Sequence, residues 1–329
     1  MKTLLVIKHG EPDAMVLADA PVPVAGVGEV LVRVRAVAVA HADLMMREGR
    51  YPNGLQPPFV PGSEFAGVVL ANGAGSGHLV GARVFGMLGR MGACSEVIAV
   101  PAHWIYPTPD HLSDAQAAGA MGAYLTAAVA LYTFGGLARG QRVLVNAAGG
   151  GVGTAACQLA RAAGATQVIG TAGAASKVAR LVEFGVDTPI SYLETEDLAH
   201  RILAQTGGRG VDVAIDSVGG DVLSATIDCV APGGRLVSVG AASGRGSSRV
   251  RLDTLLTKGI AISGFTLGKL WRDHQDLLVQ PMARVLDVLN DEKAAPVIAA
   301  ILPVERAAEA HAMMSERAIV GRVVLSFED

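Results

Sequence analysis

RVLVNAAGGGVGTAACQLARAAGA, residues 142–165, is the stretch on which the fold turns. It opens with a short apolar run, Arg142 to Val145, of the kind a buried strand presents. It closes with an Ala-rich helical run from Val152 to Ala163, and Gly164 stands just past it, where a left-handed cap is wanted. Between the two, Ala148-Gly149-Gly150-Gly151-Val152-Gly153 keeps the G-x-G-x-x-G spacing with Ala in the first place. Gly150 would let the backbone approach a pyrophosphate, Gly153 would let the helix pack on the strand, and the helix N-terminus supplies free amides and a positive dipole. Glycine clusters usually serve turns, but here the cluster lies between a strand and a helix, so it reads as a dinucleotide site.

Working outward toward the C-terminus, apolar runs alternate with helical stretches. TQVIGTA is followed by Ser176 to Phe184, PISY by Glu194 to Gln205, and VDVAID by Val222 to Val230, before RLVSVG and IAISGF. Such alternation is what a parallel sheet with crossover helices requires. Gly185 falls where a second left-handed cap is wanted. Toward the N-terminus the period is two instead, clearest in EVLVRVRAVAVA, Glu29 to Ala40. With TLLVI, GVVLA, ARVFG and SEVIAV between Gly, Pro and Asn punctuation, it suggests a small barrel-like antiparallel domain interrupted by one helix near His41 to Glu48. Ser113 and Gln116 have capping-box spacing, so a helix begins there. Ala115 to Arg139 carries no charge before Arg139 but is Ala/Gly-rich and holds Gln116, Tyr124, Thr126, Tyr132 and Thr133, which reads as a buried helix or helix pair rather than a membrane span. From about Leu270 a long helical pattern precedes ILPVERAAEAHAMM and GRVVLSF, a tail expected to return to the first domain.

The end of the second strand decides the type of dinucleotide. An acidic residue about 20 positions on would hold the ribose hydroxyls of NAD. In VIGTAGAASKVAR no carboxylate appears before Glu183, and Lys177 and Arg180 appear instead. A 2′-phosphate carries about −1.5 to −2 charges, so Lys177 there favours NADPH over NADH.

Composition narrows the rest. The 329 residues suit about two domains. A net charge of −3 with 4% aromatic residues gives neither the basic footprint nor the rings of a nucleic-acid binder. Cys94, Cys157 and Cys229 are too far apart for a disulfide framework or a CxxC site and fit a reducing compartment. Five apolar or near-apolar residues between Lys2 and Lys8 are too few for a signal-peptide core, so a cytoplasmic location is expected.

A β-rich front, a central dinucleotide fold and a returning tail together resemble the medium-chain dehydrogenase/reductase superfamily. The nearest resemblance is to its zinc-independent quinone oxidoreductase branch, the relatives of zeta-crystallin. HGEPDAM, REGRYP, PGSEFAG, AAGGGVG, GTAGAASK, DSVGG, RLVSVGAASG and MSERAIVGRVVL carry it along the whole chain. The resemblance implies an α/β protein: a Rossmann doubly wound parallel sheet over residues 121–266 that binds NADPH, plus a GroES-like β-rich catalytic domain over 1–120 and 267–329. It also implies nicotinamide contacts at Thr126, Val239, Gly240 and Phe265, and pyrophosphate contacts at Gly151 and Val152. The adenosine end would meet Gly173, Ser176, Lys177, Tyr192 and Ser217, with Arg317 as a second 2′-phosphate ligand. A homodimer is the family-level expectation. The Cys and His that hold catalytic zinc in the alcohol dehydrogenases align with Ala40 and Ser63, neither of which offers a soft or imidazole ligand, so no metal is expected. His41 has no partner at ligand spacing. Where quinone reductases commonly carry an Asn against the nicotinamide, this chain has Ala40.

Without zinc, alcohol oxidation loses the Lewis acid that stabilises an alkoxide. Quinones and α,β-unsaturated carbonyls remain, since they take hydride at carbon and spread charge to an oxygen that needs a donor. Tyr51, at the place of the catalytic tyrosine in related 2-enoyl thioester reductases, is either that donor or a lining residue. Asp43 and Glu64 are read as structural, orienting loops. GFTLGKLW also resembles the thioester-reductase branch. The sequence therefore points to an NADPH-dependent, zinc-independent reductase of a small quinone or enone. A 2-enoyl thioester reductase and an NADPH-binding structural or regulatory protein stay open as alternatives.

Overall fold

Short strands build the front of the chain: β1 (Lys2–Val6), β2 (Met15–Asp19), β3 (Glu29–Val39), then helix α1 (His41–Arg47) and strands β4 (Glu64–Asn72), β5 (Arg83–Met87), β6 (Val97–Pro101) and β7 (Ile105–Pro107). Helices α2 (Asp114–Ala118) and α3 (Met121–Ala128) follow. The alternation in β3 does what it predicts, burying Val30, Val32 and Val34 while Arg33 stays exposed. The Ser113–Gln116 box is formed in both directions, Gln116 N donating to Ser113 Oγ at 3.2 Å and Ser113 N to Gln116 Oε1 at 3.0 Å. The uncharged stretch beyond it is indeed helical and buried, and α3 runs on into a π-helical segment, Val129–Phe134. The computed structural model describes residues 1–193, 197–244, 250, 252–292, 294–316 and 318–327.

Next come β8 (Arg142–Val145), α4 (Gly151–Ala162), β9 (Gln167–Ala172), α5 (Ala175–Val178), β10 (Thr188–Ser191), α6 (Leu198–Gln205), β11 (Val211–Asp216), α7 (Gly220–Cys229), β12 (Val230–Ser238), α8 (Leu252–Lys258) and β13 (Ala261–Gly264). The six strands are all parallel, in the order β10-β9-β8-β11-β12-β13. Counted from β8, that is the 3-2-1-4-5-6 order of a doubly wound sheet, whose direction reverses between β8 and β11. Gly164 and Gly185 sit at φ +79° and +89°, the left-handed caps read from the sequence. The helix expected over Ser176 to Phe184 is instead the short α5 and a 3₁₀ turn, Leu181–Phe184. Leu181 and Phe184 are the buried residues there, and a 3₁₀ turn aligns positions i and i+3.

Helices α9 (Leu267–Asp273) and α10 (Asp276–Asn290) precede the return through β14 (Ile298–Pro303), α11 (Ala307–Glu316) and β15 (Arg322–Ser326). β15 pairs antiparallel with β3, and Leu302, Val323 and Leu325 join the core of the front sheet. The chain divides into Met1–Gly122 with Ala295–Asp329, and Ala123–Ala294. The return therefore starts at Ala295, not at 267. α10 is amphipathic, burying Leu278, Met282, Val285 and Leu289, and Arg284 lies 4.5 Å over the Tyr132 ring of the π-helical segment. That apolar face ties residues 267–294 to the parallel-sheet unit.

Candidate functional site

The reversal point of the parallel sheet is where an open α/β fold leaves a crevice at the carboxyl ends of its strands. β8 delivers the chain there at Asn146, and Ala147 then adopts φ +52°, a conformation costing a non-glycine residue about 1–2 kcal/mol. Gly150 caps α4 in extended geometry, φ −82° and ψ 172°. The first intrahelical bond runs from Thr154 N to Gly150 O, leaving the amides of Gly151, Val152 and Gly153 without helical acceptors. The glycines answer to different demands. A Cβ on Gly153 would lie 2.3 Å from Ala147 O and 2.6 Å from Ala148 Cα, so helix and strand require that glycine. A Cβ on Gly150 would meet only Ala147 O, at 3.4 Å, and one on Gly149 nothing closer than 3.6 Å. The protein itself does not need these two to be glycine. They leave an open cradle, as backbone that approaches a ligand must.

Several of the other residues expected here follow the carboxyl ends of the same strands. Gly173 follows β9, and a Cβ on it would lie 3.1 Å from Tyr192 Oη. Ser176 and Lys177 lie in α5, and the Lys177 stem passes 3.8 Å from the Cβ position of Gly149. Arg180 is engaged by Glu183 at 3.0 Å and by the Phe184 ring. Ser217 Oγ donates to Asn146 O at 3.3 Å, Gly240 abuts the Ser217 backbone, and Val239 N donates to Asp216 O at 2.8 Å. Phe265 follows β13, its ring stacked on Phe134 at 5.1 Å and 11°. Thr126 is half-buried on α3, just before the π-helical segment. Arg317 lies outside the described residues.

Beneath this edge is a polar cluster that the sequence reading missed. Asn146 Nδ2 donates to Asp216 Oδ1 at 3.0 Å and to Thr226 Oγ1 at 2.7 Å, and Thr171 Oγ1 donates to Asn146 Oδ1 at 2.8 Å. Gly219 N donates to Asp216 Oδ2 at 2.8 Å, and burial raises the Asp216 carboxyl above the usual carboxylate range. A signal existed: Asn146, Thr171 and Asp216 are polar residues at the ends of otherwise apolar runs.

The front unit holds the second group of candidates. Tyr51 follows α1 in a turn closed by Gly54 N donating to Tyr51 O at 2.9 Å. Its half-buried ring packs on Val6, Met46 and Phe59 beside Met15 and Met91. Among the described residues its hydroxyl has no hydrogen-bond partner. Asp43 is enclosed, accepting from Ala40 N at 2.7 Å and Gly62 N at 3.1 Å, and burial pushes its carboxyl up to about 6. Glu64 accepts from Arg322 Nη2 at 2.7 Å and Gly122 N at 2.8 Å, with Arg322 also buried. Both carboxylates are thus committed to holding β4, α1, β15 and the start of α3 in place. Ala40 and Ser63 stand beside them. Among the described residues no three His, Cys, Asp or Glu side chains are grouped to hold a metal.

Comparison with known proteins agrees with this architecture. The family profile described as zinc-binding dehydrogenase matches residues 151–284, and that described as alcohol dehydrogenase GroES-like domain matches residues 26–110. The human synaptic vesicle membrane protein VAT-1 homolog is 34% identical over 99% of this chain and 86% of its own length. The quinone oxidoreductase of Sus scrofa is 30% identical over 99% of this chain and 97% of its own. Among solved structures, Escherichia coli quinone oxidoreductase complexed with NADPH superposes with a TM-score of 0.88 at 29% identity, covering 99% of this chain and 100% of that one.

Proposed function

The chain belongs to the medium-chain dehydrogenase/reductase superfamily, in its quinone oxidoreductase branch, and from that membership we propose that it reduces small quinones or α,β-unsaturated carbonyls with NADPH and without zinc. The observation that carries the reading is the open cradle at Gly149 and Gly150, set at the sheet reversal and on the amides of a helix N-terminus. Those features suit a pyrophosphate. Gly150, Gly151, Val152 and Gly153 would hold it, with Gly173, Ser176, Lys177, Tyr192 and Ser217 toward the adenosine end and Thr126, Val239, Gly240 and Phe265 toward the nicotinamide. Lys177 beside the Gly149 backbone, with no carboxylate at the end of β9, supports a 2′-phosphate over bare ribose hydroxyls. When bound, NADPH supplies a hydride.

The chain's own residues do the rest. Ala40 and Ser63 offer zinc neither a thiolate nor an imidazole, so the substrate would be one whose developing oxygen charge needs only a hydrogen-bond or proton donor. Tyr51, with its hydroxyl unengaged and its ring held by methionine and phenylalanine, would be that donor. The soft apolar surroundings suit a flat conjugated acceptor.

A second copy of this chain would pair along β13. That strand ends the parallel sheet, and its Ala-Ile-Ser-Gly sequence lacks the charge or proline that blunts an exposed edge, whereas the opposite edge, β10, carries Pro189. Size-exclusion chromatography with light scattering should give a dimer mass. No helix among the described residues is long and apolar enough to cross a membrane.

The deciding experiment is NADPH oxidation with naphthoquinone, phenanthrenequinone and crotonyl-CoA as acceptors. Turnover with the quinones supports the proposal, and turnover confined to crotonyl-CoA replaces it with the thioester reductase. NADPH binding without turnover on any acceptor would leave a cofactor-binding protein of structural or regulatory use.

A further inference from the structure

Asn146, Thr171, Asp216 and Thr226 are all 0% exposed, and they meet from the ends of β8, β9 and β11 and from α7. Aliphatic side chains would fill these positions without the desolvation cost of buried polar groups. A satisfied buried network is instead a device for holding one geometry. What it adjoins shows which geometry. Asn146 precedes Ala147, which, with Asn53, is one of two non-glycine residues at positive φ among those described. Such a conformation persists only where its surroundings over-determine it. Asn146 is held on every side: its N–H donates to Ile215 O at 2.9 Å, its carbonyl accepts from Ser217 Oγ, and its amide side chain is shared among three partners. Ala148 N, on the far side of Ala147, donates to Thr171 O at 2.8 Å, so Thr171 grips both flanks of the left-handed residue.

We propose that Asn146 is a positioning residue for the cofactor. Bridged to Thr171, Asp216 and Thr226, it keeps Ala147 left-handed and so presents the Gly150–Gly151–Val152 backbone to the pyrophosphate before any cofactor arrives. Rigidity established in advance spares binding the cost of ordering the loop. The proposal rests on the NADPH reading above.

The test pairs ligands that do and do not reach the loop. In Asn146→Ala, the NADPH dissociation constant should rise roughly tenfold to a hundredfold, whereas 2′-AMP, which has the adenosine phosphate but no pyrophosphate, should bind within about twofold of the unmutated protein. Hydrogen exchange at the Gly149–Val152 amides should quicken in the cofactor-free protein, and kcat at saturating NADPH should hold within about threefold. Adding Ala147→Gly should recover part of the NADPH affinity, because glycine enters the left-handed region unaided. If Asn146→Ala does not fold, Thr226→Val removes a single arm and should weaken NADPH binding by roughly threefold to tenfold. A variant that melts earlier yet binds NADPH as before, loses both ligands equally, or binds still more weakly when Ala147 becomes glycine overturns the proposal. An unmutated protein that binds no NADPH overturns the cofactor reading itself.

Discussion

The carboxyl edge of the parallel sheet and the α1 corner of the front sheet both surround buried polar groups, but they use them in opposite ways. At the sheet edge the network is one carboxylate, one amide and two hydroxyls, and what it sets out is backbone: the strained Ala147 and the open Gly149–Gly150 cradle. At the corner the buried groups are charged: Asp43 accepts from main-chain amides, Glu64 pairs with Arg322, and Arg47 reaches Glu48 while its Nε and Nη1 stay unpartnered, as the Tyr51 phenol does among the described residues. A site built from backbone depends on glycine positions and a fixed strand exit. A corner built from side chains depends on partners far apart in sequence, as Glu64 and Arg322 are.

The contrast can be broken most directly among the glycines. Gly153→Val places atoms on the Ala147 and Ala148 backbone and should cost more than about 4 kcal/mol or abolish folding, whereas Gly150→Ala should fold within about 1 kcal/mol yet lose roughly tenfold or more in NADPH affinity. Equal damage to folding in both, measured by urea unfolding, would remove the distinction between structural and ligand-facing glycines. In the corner, Arg322→Ala strands the Glu64 carboxylate and should cost about 3–5 kcal/mol. A loss below about 1 kcal/mol would mean that the pair is not what holds β15 to β4.

The corner should also mark the acid limb of stability. Burial, and secondarily Arg47, lower His311 to about 3, so between 6.5 and 3 the unfolded chain binds more protons and stability is lost as pH falls. Asp43, raised to about 6, has the opposite slope between 3.8 and 6, where the folded chain binds more protons. His311→Gln should therefore gain on the unmutated protein, by up to about 1.4 kcal/mol per pH unit, as pH drops from 6 to 4. Parallel melting-temperature profiles across that range would contradict a neutral buried His311.

Smaller effects separate the chemistry of the two regions. Tyr51→Phe should lower kcat by roughly tenfold to a hundredfold with NADPH affinity unchanged, and steady-state kinetics showing full turnover would take Tyr51 out of the mechanism. Lys177→Ala should narrow the NADPH over NADH preference by roughly tenfold, and calorimetry showing equal binding of the two cofactors before mutation would defeat its assigned role.

Much of the glycine-lined sheet edge was legible in the chain because its determinants are local. RVLV, the glycine spacing and the missing carboxylate after VIGTA lie within some 40 residues, and each has a backbone or charge reason. Asn146, Thr171, Asp216 and Thr226 were not legible. A polar residue at the end of an apolar run reads equally well as a solvated strand end until its partners are known. The boundary of the returning tail was missed for a related reason: the periodicity of α10 shows that it has an apolar face, not what that face covers.

By itself, then, the sequence determined the order of strands and helices, the glycine-lined turn, and the absence of zinc-type ligands at positions 40 and 63, since each depends on residue identity and short-range spacing. Only the tertiary structure decided which glycines the fold needs and which it leaves open, which unit residues 267–294 join, and that a buried amide grips the turn. Those depend on distances between segments, which periodicity along the chain does not encode.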